Sequence, residues 1–417
     1  MLRRTKIVFT AFAVSVCFLA RVEAFSDSFE TPPEQDPRTV LGKQASGPGY
    51  GVLTPVRSDG FLRVYDLKTE LGQEHVVGDG LLKLRLHEIT AYTALRSLET
   101  QQSFVDGLKE AAKRPAEFIE STVTDPLGTA KSTVSGVGRL FGRISKGVEK
   151  AVSGETTSPG ELAAIVTGRD RARRELAVKL GVDPYTTYQP LSEQLDRAAT
   201  ASTAGNLSVG VIMSLIPGGM ITNVAGSAES LRDLIIDSTR SELEERTASV
   251  LRDMRISDQV IGALAANPNY TPTERAIIAY QLQAMSTVDG LEILVARAAD
   301  AKNREEAYFL LRRIVLIEHY SSTVSGISQI RKIADFPIAI RRDGEAALVM
   351  PLDMLSWTDS TAKAFSGLQD GLSRLPFPPT GVDFQITGDI TPDAAERLAS
   401  FGWDVTANLP MPEGPVF

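Results

Sequence analysis

From Ala198 to Ala228 the chain runs for 31 residues without a formal charge. A stretch of that length has to be covered, by the rest of the protein or by lipid, so it constrains the fold more than any other feature. A membrane-spanning helix needs about 20 consecutive apolar residues. Here Pro217-Gly218-Gly219 breaks the run, Asn206 and Asn223 lie inside it, and the apolar part ahead of the break, Leu207–Ile216, is ten residues long. These features predict a buried helical hairpin, with small residues where its arms approach. Insertion into a membrane as a hairpin is the competing reading. The exposure of Val209 to Val224 separates the two.

Residues 1–24 read as a secretory signal. Arg3, Arg4 and Lys6 form a basic start, Ile7–Ala20 is an uncharged apolar run of 14 residues, and Val22-Glu23-Ala24 places small residues where a signal peptidase reads. The run is too short to span a bilayer. Cleavage after Ala24 removes four of the 44 basic and one of the 52 acidic residues, leaving 40 and 51 and a net charge of −11. It also removes Cys17, the one cysteine of the sequence. A thiol-free chain suits an oxidising compartment, where nothing can mispair. The expectation is an exported protein, periplasmic or secreted. Its acidic balance argues against nucleic acid as a partner. One cysteine and three histidines exclude a disulfide framework, a CxxC redox pair and a cysteine-ligated zinc site.

Residues 25–51, rich in Pro, Gly, Ser and Gln, read as a flexible leader with too few apolar residues to offset ordering entropy. Residues 52–335 read as a mainly helical body with a short β unit at its start. Ser58-Asp59-Gly60 signals a turn ahead of Phe61–Tyr65, which has the β-branched and aromatic content of a strand. Helix dominates from Leu81 on, with Leu81–Thr100 followed by Phe104–Ala112, which Arg114-Pro115 interrupts. Thr271-Pro272-Thr273-Glu274 combines a capping threonine, a first-turn proline and an acid at the positive helix end. Asn303 starts a similar helix that runs to Tyr320. Residues 336–417 read as a small α+β domain. Ile338–Ile340, an Asp343-Gly344 turn and Ala346–Met350 form a hairpin pattern. A strand over Val382–Thr387, a helix from Thr391 and a strand over Trp403–Ala407 complete it. The fold class expected is α+β, predominantly α-helical.

The segment Leu127–Val152 stands out. Val134, Val137, Phe141, Ile144, Val148 and Ala151 are spaced 3, 4, 3, 4 and 3, one helical stripe. Arg139, Arg143, Lys146 and Lys150 are spaced 4, 3 and 4 and fall on roughly the opposite side. A basic amphipathic helix suits an anionic membrane surface or an acidic protein partner. Its glycines at 136, 138, 142 and 147 each cost about 1 kcal/mol relative to alanine, so the helix needs something to form against. From Lys131 to Lys179 ten basic residues face five acidic ones, a window of +5 in a mature chain of −11, which leaves −16 elsewhere. The same asymmetry allows the stripe to dock on the acidic body and leave a solvated basic face.

No catalytic constellation assembles in the sequence. His87-Glu88 resembles the start of a zinc-protease helix, but the second histidine position holds Ala91. His75 and His319 read as structural. Ser360-Thr361-Ala362-Lys363 matches the Ser-x-x-Lys of acyl-transfer enzymes without a downstream Lys-Thr-Gly. No phosphate-binding loop or calcium-loop pattern occurs, so no cofactor, metal ligand or catalytic residue is assigned. Acids near helix starts, Glu242, Glu274, Glu305 and Glu306, read as dipole partners. Asp183-Pro184-Tyr185-Thr186-Thr187-Tyr188 is a polar–aromatic loop, a contact site or a packed cap over the core. The function expected is interaction, as a scaffold or peripheral binder, through Arg139, Arg143, Lys146 and Lys150. Two other classes stay open: a hydrolase whose site is built from scattered residues, and a membrane-active protein using residues 198–228. Oligomeric state is not legible.

Overall fold

The computed structural model describes residues 29–100, 104–106, 159–204, 208–216 and 228–412. The expected signal segment 1–24 and the basic segment Leu127–Val152 lie outside the described residues. The leader was expected to be flexible, but from Phe29 on it is held in place. The Glu30 amide donates to the Trp357 carbonyl at 3.0 Å, and its carboxylate accepts from the Trp357 N–H and the Thr391 hydroxyl. Gln35 and Val56 exchange backbone hydrogen bonds, and Asp36 caps a short helix, Pro37–Leu41 (α1). Polar and backbone partners far along the chain supply the ordering that the leader's own composition does not.

Strands Ser46–Gly47 (β1), Tyr50–Val52 (β2), Arg57–Ser58 (β3), Arg63–Thr69 (β4) and Gly72–Val77 (β5) form an antiparallel sheet centred on β4. β5 pairs along one edge of β4, while β2 and β3 follow one another along the other. Alternation on β4 buries Arg63, Tyr65 and Leu67.

The helical body follows: Asp79–Ser97 (α2), Pro159–Lys179 (α3), Gln189–Ala204 (α4), Val209–Leu215 (α5), Ala228–Asp237 (α6), Arg240–Asp253 (α7), Asp258–Ala266 (α8), Pro272–Gln283 (α9), Leu291–Ala299 (α10) and Arg304–Thr323 (α11). Its boundaries follow local chemistry. Capping boxes start α7 at Thr239 with Glu242 and α9 at Thr271 with Glu274, with Pro272 in the first turn. Asn303 accepts from the Glu306 amide at 2.8 Å to start α11. Within the uncharged stretch, Ala198, Ala199 and Ala201 of α4 and Val209, Ile212 and Ile216 around α5 are buried in the main core, while Val211 is 43% exposed. Residues 217–227, with Ile221, lie outside the described residues. Among the described residues no helix is long and apolar enough to cross a membrane.

The last unit holds strands Ile327–Ile333 (β6), Phe336–Arg341 (β7), Ala346–Met350 (β8) and Met354–Leu355 (β9), helix Asp359–Ser373 (α12), strands Val382–Ile386 (β10) and Asp389–Ile390 (β11), helix Pro392–Ser400 (α13) and strand Trp403–Thr406 (β12). The sheet order is β12-β10-β8-β7-β6, parallel across β8, β10 and β12 and antiparallel across β6, β7 and β8. β6 belongs to this sheet, so the unit begins ahead of residue 336.

Every residue of β8 is buried because both faces of the sheet are covered. Ala347 and Val349 point into the core shared with the helical body. Ala346, Leu348 and Met350 point into a second core with Phe365 and Leu368 of α12 and Leu398 of α13. Arg313 of α11 is buried at the join and donates to the carbonyls of Pro337 at 2.5 Å and Val349 at 3.3 Å. The molecule is an α+β protein, mostly helical.

Candidate functional site

The four cations read from the sequence, Arg139, Arg143, Lys146 and Lys150, lie outside the described residues. In the described part of the same basic window the arginines have partners within the chain, Arg171 at the surface and Arg173 and Arg174 largely covered. Arg171 pairs with Asp237 at 2.8 Å and Arg173 with Asp196 at 2.6 Å, while Arg174 donates to the Ile236 carbonyl at 2.9 Å.

What the fold does bring together is a buried cluster of acids. α3 ends in a Schellman turn: Gly181, at φ 69°, donates to the Val178 carbonyl and Val182 to Ala177. That turn carries Asp183 into the body. Its carboxylate accepts from the Tyr185 amide at 2.8 Å, the Thr271 hydroxyl at 2.5 Å and the Thr273 hydroxyl at 2.8 Å. Glu274, third residue of α9, accepts from the Thr271 amide at 2.9 Å. It also holds Arg304 through two parallel bonds of 2.8 and 2.6 Å. Glu88 on α2 accepts from the Thr186 hydroxyl and lies 3.6 Å from Arg85, whose guanidinium stacks 4.2 Å from the Tyr188 ring centroid.

These groups surround a cavity of about 10 Å³, the room of a single water. Burial, and then the Glu274 charge, push Asp183 up to about 6 against the pull of its three donors. Burial raises Glu88 as well, opposed by Arg85. Burial works against the charge of Arg304, yet the Glu274 carboxylate beside it leaves it raised. The cluster can take up a proton near neutral pH, but it has no room for a substrate. Its evident work is to tie α2, the α3–α4 loop, α9 and α11 together.

A second cluster joins the first unit to the last. Gly78, at φ 95°, precedes α2 and offers no capping side chain. Asp353 caps the helix instead, accepting from the Asp79 amide at 2.9 Å and the Arg63 amide at 3.0 Å through Oδ2. Arg63 then bridges Asp79 and Asp389, each at 2.7 Å, and Tyr65 donates to Asp79 at 2.5 Å. Burial, with Asp79 nearby, pushes Asp353 up to about 8.

The sequence candidates for catalysis do not assemble. Lys363 bonds Asp359 at 2.7 Å, while the Ser360 hydroxyl lies 2.9 Å from that of Thr358. His87 is pushed down by burial and by Lys83, and His75 pairs with Asp66 at 3.0 Å. Among the described residues no group of three or more His, Cys, Asp or Glu is placed to hold a metal ion.

Sequence reasoning found Thr271, Glu274 and the Asp183 loop as separate local features and missed their convergence. One signal was present: Glu88 sits among Leu84, Ile89 and Ala91, a carboxylate within an apolar stretch. Comparisons with protein-family models, curated proteins and solved structures find no match.

Proposed function

We propose that the chain is an exported protein that works by attachment, its folded body carrying the Leu127–Val152 segment to an anionic membrane surface. The observation that carries this reading is the placing of Arg139, Arg143, Lys146 and Lys150 opposite an apolar stripe in a chain that is otherwise strongly acidic. Two features of the body bear on it. Of the arginines that follow, Arg173 and Arg174 are largely covered and bound to partners within the body, while Arg171 pairs with Asp237 at the surface. The buried acid cluster encloses room for one water, which suits a structural tie better than turnover.

The test is sedimentation of the mature protein with phosphatidylglycerol-containing vesicles. Attraction to such a surface is screened as the Debye length falls from about 10 Å at 0.1 M salt to 3 Å at 1 M. The protein sediments with vesicles at low salt and is released at high salt. Each cation near the surface is worth about 1 kcal/mol, so changing all four to Gln weakens binding by roughly several hundredfold while the melting temperature holds. A wild-type protein that ignores vesicles at low salt removes the proposal.

A further inference from the structure

We infer that the loop between α12 and β10 makes a second, apolar contact with the lipid surface through Phe377, an inference that rests on the attachment proposed above. The loop is held at both ends. The Leu375 amide donates to the Leu372 carbonyl at 3.2 Å, with its half-buried side chain against the second core, and the Gly381 carbonyl accepts from the Ala346 amide at 3.0 Å. Between them Pro376, Phe377 and Pro378 are exposed. Phe377, 86% exposed, is the most exposed large apolar side chain among the described residues, and the next, Val324, is 57% exposed.

The two share one end of the sheet. β6 and β7 pair Ile327 with Arg341, β8 and β10 pair Ala346 with Val382, and the Arg342 amide donates to the Gly326 carbonyl. Val324 therefore precedes β6 at the same edge from which the Phe377 loop enters β10. Both side chains are exposed at this end of the sheet.

The chemistry around the tip fits a bilayer interface. Leu375–Gly381 is uncharged, and three of the four residues at 376–379 are prolines. Prolines carry no N–H, so Phe377 presents the lone amide donor of that tip, and little backbone is left unsatisfied on leaving water. A partner that adds a strand would need those missing donors. Two cations lie near the tip: Arg374 at the loop's base, 81% exposed and 3.8 Å from the exposed Asp370, and Arg342, exposed on the neighbouring hairpin. The hairpin's own acids, Asp343 and Glu345, are both held by Arg341. An apolar anchor of this size is weak alone, and stable attachment takes a second signal such as a polybasic segment.

The experiment uses full-length mature protein and vesicles of phosphatidylglycerol and phosphatidylethanolamine. The native tryptophans, Trp357 and Trp403, are both buried, so a Phe377→Trp variant reports on the loop above a steady background. Its emission shifts to the blue on vesicle binding and is quenched by lipids brominated in the acyl chain. Phe377→Asp lowers vesicle affinity about tenfold or more and leaves the melting temperature unchanged. Wild-type binding that survives Phe377→Asp, with no emission shift in Phe377→Trp, overturns the inference and leaves attachment by the basic segment standing. A blue shift without bromine quenching assigns the loop to a protein contact and overturns it too. No vesicle binding by the wild type overturns both readings.

Discussion

Asp183 shows how burial converts an ordinary residue into a proton reservoir. Its carboxyl moves from an ordinary 3.8 to about 6, so the folded chain binds this proton more tightly than the unfolded one. Folding is therefore strengthened as pH falls from about 6 toward 3.8, and that gain is lost as pH rises. Between pH 7 and 5 the contribution is of order 1 kcal/mol. Denaturant titrations at the two pH values, on wild type and Asp183→Asn, measure it as the difference between their pH dependences. Asp353, pushed up in the same direction, remains in both proteins and cancels. Equal pH dependence in the two would contradict the assignment.

Its neighbour Glu274 acts through its two bonds to Arg304. Glu274→Ala leaves the Arg304 guanidinium with its two strongest bonds gone and removes half of a capping box. Breaking a buried pair from one side costs about 3–5 kcal/mol, with the lower figure expected because Arg304 keeps some solvent contact. Thermal or urea unfolding of this variant checks it, and a change under 1 kcal/mol would contradict a structural role for the cluster.

At the scale of elements, the signals that proved legible were those written within a few residues. The Thr271–Glu274 and Asn303–Glu306 caps, the Asp343-Gly344 hairpin turn and the strand–helix–strand from Val382 to Thr406 each declare themselves locally. Illegible were the ties between distant residues. Thr271 reaches Asp183 across 88 positions, Thr186 reaches Glu88 across 98, and Asp353 caps α2 from 274 positions away. Local patterning holds no trace of such partners. The leader was misread for the same reason, since Glu30 is ordered by Trp357 and Thr391.

The uncharged stretch was expected to be a buried hairpin; part of it is described, and residues 217–227 lie outside the described residues. Length alone permitted a membrane span, and the Pro217-Gly218-Gly219 break argued for burial in protein. Ile212 is fully buried in the main core, so Ile212→Asp puts an unpaired charge there and costs several kcal/mol. The wild type stays in solution without detergent and the variant melts markedly earlier. A wild type that needs detergent, with a variant that melts normally, would place Ile212 in lipid.

Taken whole, the molecule closes on itself. The first unit and the last, distant in sequence, meet through Arg63, Asp79, Asp353 and Asp389 and through backbone bonds from Asp353, Met354 and Ser356 to Phe61 and Gly60. The helical body shares one core with the first sheet and with one face of the C-terminal sheet. The proposed contacts with the outside are the basic segment and the Phe377 loop.

Export and attachment are decided together by fractionation of the native protein, followed by N-terminal sequencing. The expected result is a mature chain beginning near Phe25, found with envelope membranes at low salt and washed off at high salt. The form with Arg139, Arg143, Lys146 and Lys150 changed to Gln stays in the soluble fraction. A chain that keeps Met1, or a wild type that is soluble at every salt concentration, contradicts it.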